Sequence, residues 1–578
     1  MLKDPDLISI QEVRSKVEQA YEAWQRYRAF SQAQVDSIVE SVAGAARANA
    51  RRLAELAVQE TGYGNAKDKL AKNLLAADVL PRAMRGLKTI GVLREIPDQK
   101  LVEIGVPMGV VAAILPTTNP TSTAIYKTLI ALKAGNAIVI SPHPRARSCS
   151  CETAVVLQRA ALAAGAPAGL VQCIDNSTLE ATNALMKHPR TGVILSTGGS
   201  GMVRAAYSSG KPAFGVGPGN VPVLLEKSAN VDAAVSRVVE GKSFDYGTVC
   251  SSEQTIVAEQ SLRHRILAAL KARKAFLCDG GQSDALAKLL LTPQFTVNPE
   301  CVGQAPTKLA KMAGFEVPAD TSILVVEIGG IGKQYPLSAE KLSPVLSLYF
   351  VGDFAAALDA CEAILRFGGL GHTAVIHASD DARIREFALR MPAFRILVNT
   401  PAPQGSVGIT TGIFPAMTLG CGAAAGNITG DNIGPLHLLN IKRLAYVTRK
   451  AEEAFENMGT ENLAPSGAPG GIDRQTVIAA VERYLAKRGF EQAQPVTAAV
   501  VDQFLVARRG SRPAETAEAP AARPSPAVEI TDFVCEDDVR RAIAQSRKIF
   551  IGPRTIVTPS ARDLALRSDT LVLTDRGK

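Results

Sequence analysis

From residue 102 to residue 196, short apolar runs alternate with stretches of helical periodicity, and this alternation constrains the fold more than any other feature of the chain. VEIGVPMGVVAAILP (102–116) reads as a short alternating strand, a turn and a wholly apolar strand. Residues 122–134 read as a helix, followed by a Gly-Asn turn and the apolar strand AIVIS (137–141). Helix 154–164, strand LVQCI (170–174), helix 179–187 and strand GVILS (192–196) continue the series. Apolar strands separated by helices predict a parallel sheet covered on both faces, an α/β fold. Such sheets take their ligands at the carboxyl ends of the strands. The pattern resumes from 221 to about 410, where ILVVEIG (323–329), LSLYFV (346–351), TAVIHA (373–378) and FRILVNT (394–400) read as strands and residues 353–367 as a helix. Ahead of both, residues 11–28 and 32–59 carry apolar side chains at three- and four-residue intervals, which predicts two helices. Ser31 caps the second, and Glu60-Thr-Gly-Tyr-Gly64 ends it. The glycine-rich segment 405–434 is too irregular for regular elements and is expected to form loops around a site.

Composition removes several function classes. Hydrophobic residues make up 47% and charged residues 21% of the 578, with no apolar run near the roughly 18 residues of a membrane span. The first residues lack an apolar signal core, so a cytoplasmic location is expected. Nine scattered cysteines without CxxC pairs fit neither a disulfide framework nor a zinc site, and no metal is expected. The net charge of +9 is spread along the chain without a nucleic-acid motif, and it would suit a phosphorylated cofactor.

One 40-residue stretch concentrates the chemistry. Residues 214–253 open on a glycine-rich turn (Gly215, Gly217, Gly219), continue through a strand-like run (221–225) and a helix-like run (231–242), and close on a solitary cysteine, Cys250. Glycines let backbone approach a ligand, and a cysteine after such a scaffold can be a nucleophile, although a free cysteine is more often buried and inert. Asn119, between proline-bounded turns after a buried strand, can donate an amide hydrogen bond to a developing oxyanion. STGGSGMVRAA (196–206) reads as strand, small-residue turn and helix, suited to phosphate or nicotinamide contact. Neither GxGxxG nor GxxxxGK[ST] is present.

Taken in order, PMGVVAAILPTTNPTST, ALKAGNAIVISPHP, STGGSGMV, FGVGPGNVPV, SFDYGTVCSSEQ, EKLSPVL, GLGHTAVIH and CGAAAGNITGDNIGPLHLLNIKRLAY resemble the aldehyde dehydrogenase superfamily. The resemblance is strongest to its coenzyme-A-acylating branch of bacterial microcompartments, and runs from about Asp4 to Asn457. It implies a Rossmann-type cofactor domain and an α/β catalytic domain, with Cys250 attacking an aldehyde carbonyl. Asn119 and the Cys250 backbone N–H would form the oxyanion hole. Thr197, Gly198, Gly199, Ser141, Pro142, His143, Gly217 and Glu340 would bind the cofactor, Glu340 at the nicotinamide ribose. Thr248 and Val249 would line the aldehyde pocket. His372 is a candidate for the acyl or coenzyme A pocket, although a histidine between glycine and an apolar strand usually only packs or hydrogen-bonds.

Two departures sharpen the expectation. Hydrolytic relatives carry a general-base glutamate where this chain has Phe214-Gly-Val-Gly217, and no carboxylate follows until Glu226. Without that base water is poorly activated, whereas a thiol is a few per cent thiolate near neutral pH and strongly nucleophilic. Transfer of the acyl group to coenzyme A is therefore expected, with hydrolysis to free acid, or a non-catalytic shell-docking scaffold, as the alternatives. The second departure loosens the cofactor expectation instead: the lysine that many relatives place after the second strand is Ser141 here, so NAD is expected with NADP left open. The substrate would be a short-chain aldehyde, propionaldehyde before acetaldehyde, and the protein a homo-oligomer.

The division implied is a helical N-terminus and dinucleotide-binding domain (1–219), a catalytic domain (220–410), an active-site and oligomerisation segment (411–463), a linker with amphipathic helices (464–507), a disordered linker (508–527) and a small α/β module (528–578). Residues 472–489 set Val477, Ile478, Val481, Tyr484 and Leu485 on one helical face and resemble the encapsulation peptides that direct enzymes into microcompartment shells. Residues 495–508 form a second helix candidate. In the last module a helix (536–546), KIFI, TIVT, a helix from Ser560 and TLVLT are expected. Asp532, Glu536, Asp537 and Asp538 read as helix-start acids rather than a cation site.

Overall fold

The computed structural model describes residues 4–292, 294–451, 453, 475, 479, 531–545, 547–565, 568 and 570–573. The chain divides into two compact units, Met1–Ala454 and Phe455–Lys578. In the first, an antiparallel hairpin of β1 (Gly91–Ile96) and β2 (Leu101–Pro107) leads into a parallel sheet. That sheet comprises β3 (Val110–Ile114), β4 (Ala137–Ser141), β5 (Val171–Cys173), β6 (Thr191–Thr197) and β7 (Ala213–Val216), in the order β5-β4-β3-β6-β7. A second parallel sheet holds β8 (Val221–Leu225), β9 (Glu253–Glu259), β10 (Phe276–Leu277), β11 (Leu324–Glu327), β12 (Val345–Val351), β13 (Gly371–His377) and β14 (Ala393–Val398), ordered β10-β11-β12-β9-β8-β13-β14. Strand β15 (Leu439–Ala445) then returns to pair antiparallel with β2.

Strands β3, β4 and β8 are buried at every residue, as wholly apolar runs require. Helix Pro120–Lys133 is buried along its whole length between the first sheet and the helices Gln32–Thr61 and Arg147–Ala163. Its Lys127 lies wholly inside, where Nζ donates to the carbonyls of Ile114 (2.7 Å) and Leu195 (2.9 Å). Burial pulls that ammonium well below its ordinary pKa. Lys127 thus pins the carboxyl ends of neighbouring strands β3 and β6, where the loops to Asn119 and to Gly199 part. Strand order reverses there, which opens a crevice for a ligand.

Several local readings carry over. Ser31 and Gln34 form a capping box, and Gly62 closes the helix in the left-handed region. Others change. The segment expected as a glycine-rich turn at Phe214–Gly217 begins as edge strand β7, with Gly215 packed on Val203 and Tyr207. The helix expected from residue 154 starts at Arg147, because the Glu60 carboxylate accepts from the Ser148 and Cys149 N–H groups at 2.7 Å each. A cap donated by another helix leaves no local sequence signal. The linker, the amphipathic segment and the tether between 464 and 527 lie outside the described residues apart from isolated positions. No helix among the described residues is long and apolar enough to cross a membrane.

The second unit contains a three-stranded parallel sheet of β16 (Thr531–Val534), β17 (Ile549–Val557) and β18 (Leu571–Leu573), with helices Glu536–Ala544 and Pro559–Ala565. KIFI and TIVT, expected as separate strands, belong to the one strand β17. Asp538 accepts from the Cys535 N–H, and Glu536 and Asp538 pair with Arg540 and Arg541, so these acids serve the helix start.

Asn136, wholly buried, joins two sheets. Its Oδ1 accepts from the Gly109 N–H ahead of β3, and its Nδ2 donates to the Leu438 carbonyl ahead of β15, both at 2.8 Å. Replacing Asn136 by Ala strands both buried backbone groups, each worth about 1–3 kcal/mol. Denaturant unfolding of Asn136→Ala is expected to show a loss of about 2–5 kcal/mol.

Candidate active site

The site is assembled from the amino ends of the second sheet. Cys250 lies between the short turn Phe244–Gly247 and β9, His372 is the second residue of β13, Gly219 precedes β8 and Glu340 precedes β12. The His372 Nε2 is 3.2 Å from the Cys250 Sγ. Its Nδ1 is 2.9 Å from the Thr373 Oγ1. A Cβ at Gly219 would stand 2.3 Å from the Cys250 carbonyl oxygen and 3.0 Å from the His372 ring, so only glycine fits there. The Gly219 N–H donates to the Glu340 Oε1 at 3.1 Å. Burial, then Glu340 and Cys421, push the Cys250 thiol up to about 12. Burial also raises Glu340 to about 8. His372 is held well below its ordinary pKa by burial and by Arg395.

A second cluster reaches the Cys250 loop from the N-terminal helices. The Asp245 carboxylate accepts from Lys69 Nζ (3.1 Å), the Asn65 N–H (2.8 Å), the Thr248 hydroxyl (2.5 Å) and Lys72 Nζ. Lys72 also donates to the Asn119 Oδ1 and to the Thr248 Oγ1, the latter at 3.2 Å. Since an ammonium only donates, the Asn119 oxygen faces Lys72 and its NH2 faces away, 3.1 Å from the Thr118 Oγ1. Asp245 and Tyr246 both take left-handed φ values, 46° and 51°, a conformation that costs roughly 1–3 kcal/mol per residue. Gly64 admits the carboxylate: a Cβ there would lie 1.9 Å from the Asp245 Oδ1. The lysines lower the Asp245 pKa against the burial that would raise it, and burial brings Lys72 down to about 8.

The structure therefore brings Cys250, His372, Gly219 and Glu340 into one place, and ties Asn119 to the Cys250 loop through Lys72 and Thr248. Thr248, expected in the aldehyde pocket, is instead held inside the Asp245 cluster. Val249 does line an apolar pocket, with Leu75, Phe244, Val407, Ile409 and Met417. Ser141, expected at the cofactor, is buried with its hydroxyl on Thr182 Oγ1 at 2.9 Å, so it presents no hydroxyl to the surface. Pro142 is buried and its carbonyl accepts from the Ser177 hydroxyl, whereas His143 is exposed. Gly199 caps the exposed start of helix Ser200–Tyr207 with open space around it. The buried Thr197 Oγ1 at the end of β6 has no hydrogen-bond partner among the described residues. A bare hydroxyl beside an open glycine turn fits the polar part of a dinucleotide. Gly217 has open space around the position of a Cβ, and its backbone helps lower the Cys421 thiol against the burial that raises it. Among the described residues no group of three or more His, Cys, Asp or Glu could hold a metal.

Lys69, Lys72 and Asp245 were not marked in the sequence. The available signal was two lysines three apart, on the one face of helix Ala66–Leu74 that is buried, with Asn73 beside them. Lys72→Met would leave the Asp245 carboxylate buried with its strongest partner gone, a loss of about 3–5 kcal/mol. A carboxylate whose pKa is depressed on folding stabilises above its ordinary pKa and ceases to as pH falls through its folded value. The variant raises that folded value, so acid unfolding followed by circular dichroism should begin at a higher pH than in the wild type.

The family model described as the aldehyde dehydrogenase family matches residues 4–289. The bifunctional aldehyde-alcohol dehydrogenase AdhE of Escherichia coli K12 is 42% identical over 76% of this chain and 50% of its own length, so the chain spans about half of that relative. The acetylating succinate-semialdehyde dehydrogenase of Clostridium kluyveri is 34% identical over 76% of this chain and 97% of its own. Among solved structures, an acetylating aldehyde dehydrogenase of Geobacillus thermoglucosidasius superposes with a TM-score of 0.77 at 48% identity, covering 78% of this chain and 99% of the other. A Rhodopseudomonas palustris propionaldehyde dehydrogenase with bound propionyl-CoA gives 0.67 at 29%, covering 75% and 94%. A propionaldehyde dehydrogenase of the Clostridium phytofermentans fucose utilisation bacterial microcompartment gives 0.68 at 26%, covering 76% and 98%. With its cysteine and histidine in contact between two parallel sheets, and with relatives matched along nearly their full length, the chain belongs to the acylating aldehyde dehydrogenases of the aldehyde dehydrogenase family.

Proposed function

We propose that the protein oxidises a short-chain aldehyde, propionaldehyde before acetaldehyde, and passes the acyl group from Cys250 to coenzyme A. The observation that carries this is the company of the sulfur. Cys250 meets a histidine that burial and Arg395 hold neutral, and the Glu340 carboxyl, raised to about 8 by burial, is bonded to the Gly219 N–H. The segment Phe214–Gly217, where hydrolytic relatives carry their base, holds no carboxylate. Cys250 as thiolate adds to the carbonyl carbon to give a thiohemiacetal, whose oxyanion the Asn119 amide and the Cys250 N–H receive. When bound, a nicotinamide dinucleotide, NAD in this reading with NADP as the alternative, supplies the hydride acceptor that converts this adduct to a thioester. Thr197, Gly198, Gly199, His143 and Glu340 hold it. The thiolate of coenzyme A then attacks the thioester carbon and expels Cys250 as thiolate. The apolar pocket beside Val249 favours an uncharged chain. Lys72 at its edge has its charge matched by Asp245 and offers no site for an acidic substrate.

The test is NADH formation from propionaldehyde by the purified full chain, with and without coenzyme A, measuring propionyl-coenzyme A and propionate. Turnover should require coenzyme A and yield stoichiometric thioester, and Cys250→Ala should lose at least about 1,000-fold in rate with its fold intact. Steady NADH with propionate and no coenzyme A would overturn the acyl-transfer reading.

The same proposal includes a homo-oligomer packaged in a bacterial microcompartment, which rests on the amphipathic face of residues 472–489 and on the likeness to a microcompartment enzyme. In cells that make shells, deleting residues 464–578 should leave activity within about twofold and abolish co-purification with shell proteins. A truncated chain that still enters shells would remove the targeting role.

A further inference from the structure

The proposed reaction leaves Thr373 and Arg395 without a role, yet they form a chain behind the His372 ring. Arg395 is buried, and its guanidinium is fixed on three sides. Nη1 donates to the Gly430 carbonyl (3.0 Å) and the Asn432 Oδ1 (3.4 Å), and Nη2 to the Gly420 carbonyl (2.6 Å). Its Nε, which can only donate, points at the Thr373 Oγ1 at 3.3 Å. Thr373 is also buried, and the one acceptor its hydroxyl proton reaches among the described residues is the His372 Nδ1 at 2.9 Å. If Nδ1 carried the imidazole proton, Thr373 would face two donors and its own proton would have no acceptor. The arrangement that satisfies every group leaves Nδ1 bare and puts the proton on Nε2, 3.2 Å from the Cys250 Sγ.

We propose that Arg395 and Thr373 are positioning residues that fix His372 in the Nε2–H tautomer, so that it donates a hydrogen bond to the Cys250 sulfur instead of accepting its proton. A hydrogen bond donated to sulfur favours thiolate over thiol. That sense matters twice in the reaction proposed above, on which this part of the inference rests: Cys250 is a thiolate when it attacks and again when it is expelled. The groups facing Cys250 are His372, Glu340, Cys421 and Arg395. Burial, Glu340 and Cys421 oppose ionisation, and Arg395 favours it. The groups facing His372 are Arg395 and Cys250, and burial with Arg395 keeps the ring neutral. Burial and Arg395 both act against an imidazolium paired with a thiolate here.

Iodoacetamide alkylation of the full chain tests this without aldehyde, cofactor or coenzyme A. The Cys250 thiolate displaces iodide and forms a C–S bond, so the rate follows the thiolate fraction; modification is read at the Cys250 peptide by mass spectrometry. Thr373→Val removes the donor to Nδ1. Its alkylation rate at pH 7.5 should fall about tenfold. Thr373→Ser, which restores the hydroxyl, should return the rate to within about twofold of wild type. A rate that stays or rises in Thr373→Val, or a serine that fails to restore it, overturns the assignment. Should the valine variant not fold, Thr373→Ala faces the same two outcomes. A chain that alkylates as expected but makes no acyl-coenzyme A would overturn the proposed function and leave the tautomer assignment standing.

Discussion

The Asp245 carboxylate is the constraint on which the site depends. It is fully buried, and the two lysines that hold it come from a helix some 170 residues earlier in the chain, with exposures of 2% and 4%. Removing such charges from water costs about as much as their attraction returns, so the cluster adds little net stability. What it fixes is geometry. Through Lys72 it orients the Asn119 amide, and through Thr248 it holds the loop that ends at Cys250. Two left-handed residues, Asp245 and Tyr246, lie in that loop, and the partners of Asp245 hold it there from several sides. The strain is local, and the residue it serves is Cys250, the proposed nucleophile.

How much of this is readable beforehand follows from which interactions are local. Strands β3, β4, β6 and β8 and helix Leu179–Lys187 are legible because apolar periodicity and caps are properties of a short window. The start of helix Arg147–Ala163 is not, since its cap is Glu60. Cys250 stands out from its segment and from the ordered motifs around it. His372 was reachable only as a pocket candidate, because nothing within GLGHTAVIH says that β13 lies beside β8 and brings its second residue to a cysteine 122 positions away. Thr248 was misplaced for the converse reason. Sequence adjacency to a nucleophile suggests a shared pocket, but successive side chains diverge, and this one turns to a buried lysine.

The two sheets contribute opposite ends. The first offers the carboxyl ends of β3 and β6, where strand order reverses and loops separate, the expected place for a dinucleotide. The second offers the amino ends of β8, β9, β12 and β13, which the general rule for such sheets does not anticipate. The physical advantage is that residues just ahead of a strand are anchored by the strand that follows. Cys250, Gly219 and Glu340 each stand within five residues of a buried strand start. The cofactor loops can then adjust on one side while the sulfur remains fixed on the other.

The proposed selectivity for a thiol over water rests on what stands near the sulfur. A hydrolytic site must hold an ionised base within reach of water next to the acyl carbon. Here Phe214–Gly217 holds no carboxylate, burial raises the Glu340 carboxyl, and burial with Arg395 holds His372 well below its ordinary pKa. An attacking thiol needs no such base, because a useful fraction is already ionised in bulk solvent before it enters the site. The sulfur it displaces leaves toward a hydrogen-bond donor. The apolar lining beside Val249, which would slow hydrolysis by excluding water, costs thiol transfer little for the same reason.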